Sequence, residues 1–237
     1  MPRKIYTSKI ISKDNLTSNV IYLSIAKPKE FIYIAGQFIQ FYIPDPANEK
    51  NEVLRSYSIA SAPNEKDLKF CVKLVPNGKS GQYFEKTKAG KYLKFSGPVG
   101  KFTNMDATNP LYFIATSVGL APIMSIIQDE LINKKTTQPI HLLFGIRTEN
   151  DVFWTEILDN LKKTYKNFDY KLTLSQPSPE WKGLKGRVTA HLSKKISAKG
   201  EKNSHYFLCG SISMIKDVSS FLETQGLPKT NIHFEAF

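Results

Sequence analysis

Cysteine is scarce in this chain of 237 residues, which carries Cys71 and Cys209 alone. Two distant thiols give neither a disulfide framework nor a metal-binding knuckle, so a small stapled scaffold is excluded. The four histidines, His141, His191, His205 and His233, show no close ligand spacing, and no metal is expected. No run of about 18 apolar residues occurs, so no membrane-spanning helix is expected. The start MPRKIYTSK is basic but has no apolar stretch after it, unlike a secretory signal. A cytoplasmic protein is the expectation. Acidic residues are also few, 21 Asp and Glu against 33 Lys and Arg, for a net charge of +12.

That charge is uneven. Residues 1–105 hold 17 Lys and Arg against 8 Asp and Glu, and residues 106–237 hold 16 against 13. The excess gathers at Lys86, Lys88, Lys91 and Lys94 rather than in a basic helix or tract. Nucleic acid is therefore not the expected partner. An acidic protein is, with a merely solubilising lysine-rich surface as the alternative.

The rhythm of the chain changes near residue 105. VIYLSIA (20–26), GQFIQFYI (36–43), RSYSIAS (55–61), LKFCVKLV (68–75) and KYLKFSGP (91–98) read as strands. Turn clusters at Pro44–Pro46, Ala62–Asn64 and Pro76–Gly78 separate them. One helix is expected after Gly81, with QYFEKTKAG ending in a capping Gly90. Short strands at this spacing predict an antiparallel β-barrel over residues 1–105. From residue 106 onward, apolar strands alternate with amphipathic helices. The predicted strands are LYFIA (111–115), IHLLFGI (140–146), YKLTLS (170–175), RVTAHLSKK (187–195), HYFLCGS (205–211) and NIHFEAF (231–237). Helices are predicted over residues 122–135, 151–163 and 213–226. This pattern predicts an α/β domain with a doubly wound parallel sheet over residues 106–237.

In such a sheet, ligands lie beyond the carboxyl ends of the strands. Gly119, Gly145 and Gly210 stand near three of those ends, where a missing side chain lets an extended phosphate-bearing ligand approach the backbone. In the first half, LRSYSIAS (54–61) alternates so that Arg55, Tyr57 and Ile59 share one face, which suits a planar anion. Ordered along the chain, Arg-x-Tyr-Ser (55–58), GPVGKF (97–102), Gly-x-x-Pro (119–122), Cys-Gly (209–210) and Glu-x-Phe (235–237) resemble the ferredoxin–NADP reductase superfamily. The resemblance runs from Gly36 to Phe237.

The resemblance implies an FAD-containing NAD(P)H oxidoreductase that passes hydride to the flavin and electrons to a separate acceptor, a ferredoxin or flavodoxin. It assigns Arg55 to the flavin pyrophosphate and Tyr57 to the face of the ring. Ser58 falls near the hydride-accepting nitrogen, with Ser56 and Ile59 beside it. Val72 and Lys73 would flank the flavin. Gly78, Lys79, Ser80, Gly81, Gln82 and Tyr83 form the second phosphate element, in which Gly81 replaces a common Ser or Thr. Thr116 would touch both cofactors, and Phe237 would cover the ring. For the nicotinamide nucleotide it implies Gly119, Ala121, Pro122, Gly145, Arg147, Ser175, Gly210 and Met214, with Arg147 alternatively pairing Glu149 or Asp151. Cys209 and Glu235 join Ser58 as catalytic positions. Ser117 and Val118 depart from the family's glycine-rich loop. Gln176 and Pro177 after Ser175 favour NADH, while Lys171, Lys182 and Lys185 keep NADPH open. Two other readings stand: a reductase of free flavin, and a non-catalytic nucleotide-binding subunit.

Overall fold

Alternation of apolar and polar residues builds the first sheet of the computed structural model, which describes residues 4–45, 48–76, 78–105, 108–192 and 203–237. Its strands are β1 (Ile5–Thr17), β2 (Val20–Ala26), β3 (Phe38–Asp45), β4 (Asn48–Ser58), β5 (Asp67–Lys73) and β6 (Tyr92–Val99). They pair antiparallel in the order β4-β3-β6-β1-β2-β5. Every second residue points inward, so Leu23, Ile39, Phe41, Phe70, Val72 and Phe95 form a sealed core. After β4 the chain crosses to the opposite edge, where Ala60 N–H donates to Lys69 O at 2.7 Å.

β1 was not foreseen. Its register shifts between Ile10 and Ser12, which breaks the period of two that the sequence would otherwise display. β4 also begins earlier than Arg55. The turn expected at Pro44–Pro46 is partly strand, since β3 runs through Asp45, while Pro46 lies outside the described residues. So do Asn77 of the Pro76–Gly78 turn and Asp106 at the change of rhythm.

Helix α1 (Lys79–Lys86) starts ahead of the expected position and ends before it. Thr87 is already extended, and its hydroxyl and amide both bind Tyr83 O, at 2.7 and 3.0 Å. Gly90 does not cap the helix. It takes φ +89° in the turn into β6, and its N–H donates to Ile10 O at 2.9 Å.

The second sheet is parallel, as the continuous apolar runs require. Its strands are β7 (Leu111–Thr116), β8 (Ile140–Ile146), β9 (Phe168–Leu174), β10 (Leu184–Lys185), β11 (His205–Gly210) and β12 (Ile232–Ala236). They run in the order β10-β9-β8-β7-β11-β12. Helices α2 (Leu120–Gln128), α3 (Thr155–Thr164) and α4 (Ile212–Thr224) connect them. The helix expected to reach residue 135 gives way after Gln128 to a wider turn, Asp129–Asn133. α3 begins at Thr155 rather than 151, because Trp154 takes φ +62°. The strand expected over 187–195 is not formed by its described part: Val188–His191 is a short 3-10 turn, and residues 193–195 lie outside the described set.

One apolar core spans both sheets. Val20, Ala35, Ala60, Cys71 and Phe102 from the first half pack in a single cluster with α2 and β7. All eight residues from Leu120 to Ile127 are buried.

Candidate functional site

Strand order reverses between β7 and β11, because chain progression runs outward in both directions from that pair. A crevice opens there at the carboxyl ends of the strands. It is a cavity of about 700 Å³, lined by Thr116, Ser117, Gly145, Arg147, Ser175 and Met214 together with Lys73 from β5. That volume suits a small organic ligand. Asn19 and Val20 line it from the first half, so the cavity lies where the two sheets meet.

The strand-end glycines are required by close packing. A side chain on Gly119 would lie 2.3 Å from Cys209 O and 2.9 Å from Phe237 Cε1. On Gly210 it would meet Thr116 Oγ1 at 2.0 Å and Met214 Cε at 2.7 Å. Gly145 differs from expectation. It lies inside β8, one residue before its end, and Val188 Cγ1 occupies the space a side chain would take, at 2.5 Å. Here the glycine admits a neighbouring side chain to the strand.

Ser117, the departure noted in the loop, adopts φ +53°, a conformation that costs a residue with a Cβ about 1 kcal/mol. Its hydroxyl accepts from Lys73 Nζ at 3.3 Å. Ala121 and Pro122 are buried within α2, and neither they nor Gly119, Cys209 and Gly210 line the cavity. Arg147 binds neither Glu149 nor Asp151: its Nε donates to Gln176 Oε1 at 2.8 Å. Glu149 instead accepts from the Ser178 amide at 2.9 Å, and Asp151 accepts from the Thr148 hydroxyl at 2.7 Å.

The Arg55 face of β4 forms a second region, none of whose residues lines this cavity. Arg55 is exposed, with Nη1 donating to Leu54 O at 2.9 Å. Tyr57 is half-buried, edge-on to Phe84 of α1 with ring centres 5.4 Å apart. Burial raises its phenol pKa, against the hydrogen bond with Ser80 and the nearby Arg55 charge. Ser56 faces the other way, within 3.5 Å of Gln40 Nε2. Ile59 and Val72 are core residues. The N-terminus of α1, at Gly78–Gly81, has no side-chain cap and no acidic residue in its first turn, so its positive end is unneutralised. Lys79 pairs with Asp45 at 2.9 Å, Gln82 is exposed and Tyr83 half-buried.

Between the two regions stands a carboxylate. Glu235 of β12 accepts from Ser58 Oγ at 2.7 Å, joining residues 177 positions apart. Parallel register places Cys209 beside it. Burial raises the Glu235 pKa, and the Ser58 bond partly opposes that. Burial also pushes the Cys209 thiol well above its ordinary value, with the Glu235 charge adding to the effect. Cys209 is thus held as a neutral thiol. The Phe237 amide donates to Gly210 O at 3.4 Å, and its exposed ring rests over Gly119. The structure therefore brings together Ser58, Glu235, Cys209 and Phe237 from both halves.

Sequence reading missed Arg187, Asp217 and Ser211, which also line the cavity. Gly186–Arg187 follows the two-residue β10, too short a strand to register as a pattern. Ser211 was legible as a helix cap; its Oγ accepts from Met214 N at 3.3 Å.

Residues 7–104 match the oxidoreductase FAD-binding domain, and residues 113–220 match the oxidoreductase NAD-binding domain. Ferredoxin–NADP reductase B of Sorangium cellulosum is 31% identical over 219 residues, covering 90% of this chain and 88% of that protein. The electron transfer component of anthranilate 1,2-dioxygenase from Acinetobacter baylyi is 30% identical over 224 residues, 93% of this chain but 63% of the relative. A ferredoxin NADP+ reductase from Neisseria gonorrhoeae, solved with bound FAD and NADP, shares the fold with TM-score 0.86 at 20% identity, covering 99% of each chain. The chain belongs to the ferredoxin–NADP reductase superfamily and is an FAD-dependent NAD(P)H oxidoreductase.

Proposed function

We propose that the chain draws electrons from NADH and delivers them to a small acidic electron-transfer protein, a ferredoxin or flavodoxin, in the cytoplasm. The observation that carries this reading is the Ser58–Glu235 bond, which ties the end of the Tyr57 strand to β12 of the parallel sheet, beside Cys209. The residues fit FAD: an exposed guanidinium, a half-buried phenol ring and an uncapped helix start lie along one edge. Bound FAD supplies the redox chemistry, taking hydride from reduced nicotinamide and releasing electrons to the acceptor.

The chain's own contribution is orientation. Arg55 and the amides of residues 79–81 at the start of α1 would hold the pyrophosphate by charge-assisted bonds. Tyr57 would present its ring to the flavin, and the exposed Phe237 ring would cover it on the nicotinamide side. Ser58 shares its proton with Glu235, which, with its raised pKa, can hold or pass a proton at that edge. Of the residues that line the cavity, Thr116, Ser117 and Met214 would shape the nicotinamide end, and Arg147 and Arg187 would hold the nucleotide phosphates. The residue after Ser175 is Gln176 rather than a cation, which supports NADH over a nucleotide bearing a 2′-phosphate.

The basic first half supports an acidic acceptor. Of its lysines, Lys94 is already paired with Glu52 at 2.7 Å and lies over Tyr42, which leaves Lys86, Lys88 and Lys91 to present the charge. Electron delivery from NADH to an acidic ferredoxin, followed against ionic strength, tests the proposal. The rate constant should fall steeply with salt. A salt-independent rate, or faster reduction of free flavin than of any protein acceptor, contradicts it.

A further inference from the structure

Ser61 lies in the buried run that follows β4, residues 59–62, and its carbonyl accepts two hydroxyl hydrogen bonds. Tyr33 OH donates at 2.9 Å and Ser125 Oγ at 2.6 Å. Ser61 and Ser125 are both fully buried. The donors come from different halves: Tyr33 lies between β2 and β3, whereas Ser125 belongs to α2. One turn further along α2, Gln128 Nε2 reaches Ala60 O at 3.4 Å and Met124 O at 3.1 Å.

α2 starts immediately after the turn that contains Ser117, a cavity residue. From Leu120 to Gln128 it spans about 12 Å as a single rod. One end of it therefore borders the nucleotide cavity, and its last turns grip the chain three residues beyond Ser58. The apolar core around α2 holds the halves together, but apolar attraction is non-directional and does not fix sliding of one half along the other. A short buried hydrogen bond does, because its energy falls steeply with distance and angle.

We infer that Ser125 is a positioning residue: its bond to Ser61 O fixes the flavin-holding strand against the nicotinamide end of the cavity. The role presupposes the NAD(P)H reductase reading above. Tyr33 supplies an internal control, since it binds the same carbonyl from within the flavin half and has no bearing on how the two halves align.

The test compares FAD-loaded Ser125→Ala, Ser125→Thr and Tyr33→Phe with the unmodified protein in anaerobic stopped flow with NADH. Because displacements of about 1 Å between reacting groups cost on the order of a hundredfold, Ser125→Ala should slow flavin reduction by about tenfold or more. The dissociation constant for NADH should stay within about twofold, while the long-wavelength charge-transfer absorbance of the nucleotide complex is lost. Ser125→Thr, which keeps the hydroxyl, should restore both the rate and the absorbance. Tyr33→Phe should lower the melting temperature yet leave both unchanged. If Ser125→Ala does not fold, Gln128→Leu tests the same contact one turn away, with the same expected direction. An unchanged rate and absorbance in Ser125→Ala, or equal slowing by Tyr33→Phe, overturns the positioning role while the reductase reading stands. Failure of the unmodified protein to be reduced by either nucleotide overturns both.

Discussion

Glu235 couples burial to charge, and its raised pKa has a consequence for stability. A carboxyl whose pKa is higher in the folded than in the unfolded chain favours the fold when protonated. Its contribution is complete below the ordinary value of 4.5 and is lost as pH rises through the raised value. Glu235→Gln should remove that slope, so melting temperatures of the variant and the parent should diverge progressively above pH 4.5. Parallel curves would show that Glu235 carries no such coupling. Arg55→Ala should weaken FAD retention by about tenfold to a hundredfold, the worth of losing a hydrogen bond to a charged group, with Arg55→Lys recovering part of it. Equilibrium dialysis against FAD reads this directly, and equal affinity in the alanine variant would move the pyrophosphate elsewhere. At this scale, the alternation of LRSYSIAS was enough to place Arg55 and Tyr57 on one face. It also put Ser56 on the other face, and the Gln40 contact agrees. Lys73 illustrates what alternation cannot give. Its sequence neighbours are barrel core, yet its side chain reaches Ser117 across the domain boundary.

Helix α1 and strand β12 carry predictions of their own. Gly81 lies in α1 with no positive φ, and a Cβ there would approach Val75 O no closer than 3.4 Å. Nothing in the packing therefore demands glycine. Gly81→Ser should raise stability by roughly 0.5 kcal/mol through helix propensity and add a hydroxyl at the phosphate end. A lower melting temperature would contradict this. On β12, His233 stacks on Phe207 at 4.5 Å, and its Nε2 lies within hydrogen-bond distance of His205 Nδ1, at 3.0 Å. Burial, and then the His205 charge, hold its pKa below the ordinary 6.5. The unfolded chain therefore takes up a proton first, and stability is lost as pH falls below 6.5 through the depressed value. Protection factors of the amides in Ile232–Ala236, corrected for the intrinsic slowing of exchange with acid, should fall on acidification in the parent and much less in His233→Asn. Long apolar runs made β7, β8 and β11 legible. Element ends were less so, because they depend on single backbone conformations, such as φ +62° at Trp154, and on contacts like Thr87 with Tyr83.

Across the whole molecule, the division into an antiparallel and a parallel sheet was legible because period-two alternation and continuous apolar strands arise from different burial patterns. How the halves meet was not. The Ser58–Glu235, Lys73–Ser117 and Ser61–Ser125 contacts join residues separated by 177, 44 and 64 positions, and no local pattern encodes them. Those contacts tie the two halves together, and on the proposed function they align flavin with nicotinamide. Anaerobic titration of the FAD-loaded protein with NADH and NADPH, followed at the visible flavin band, tests this most directly. The band should bleach with one equivalent of nucleotide, at lower concentration for NADH. A protein that binds FAD and both nucleotides yet keeps its colour would contradict the account.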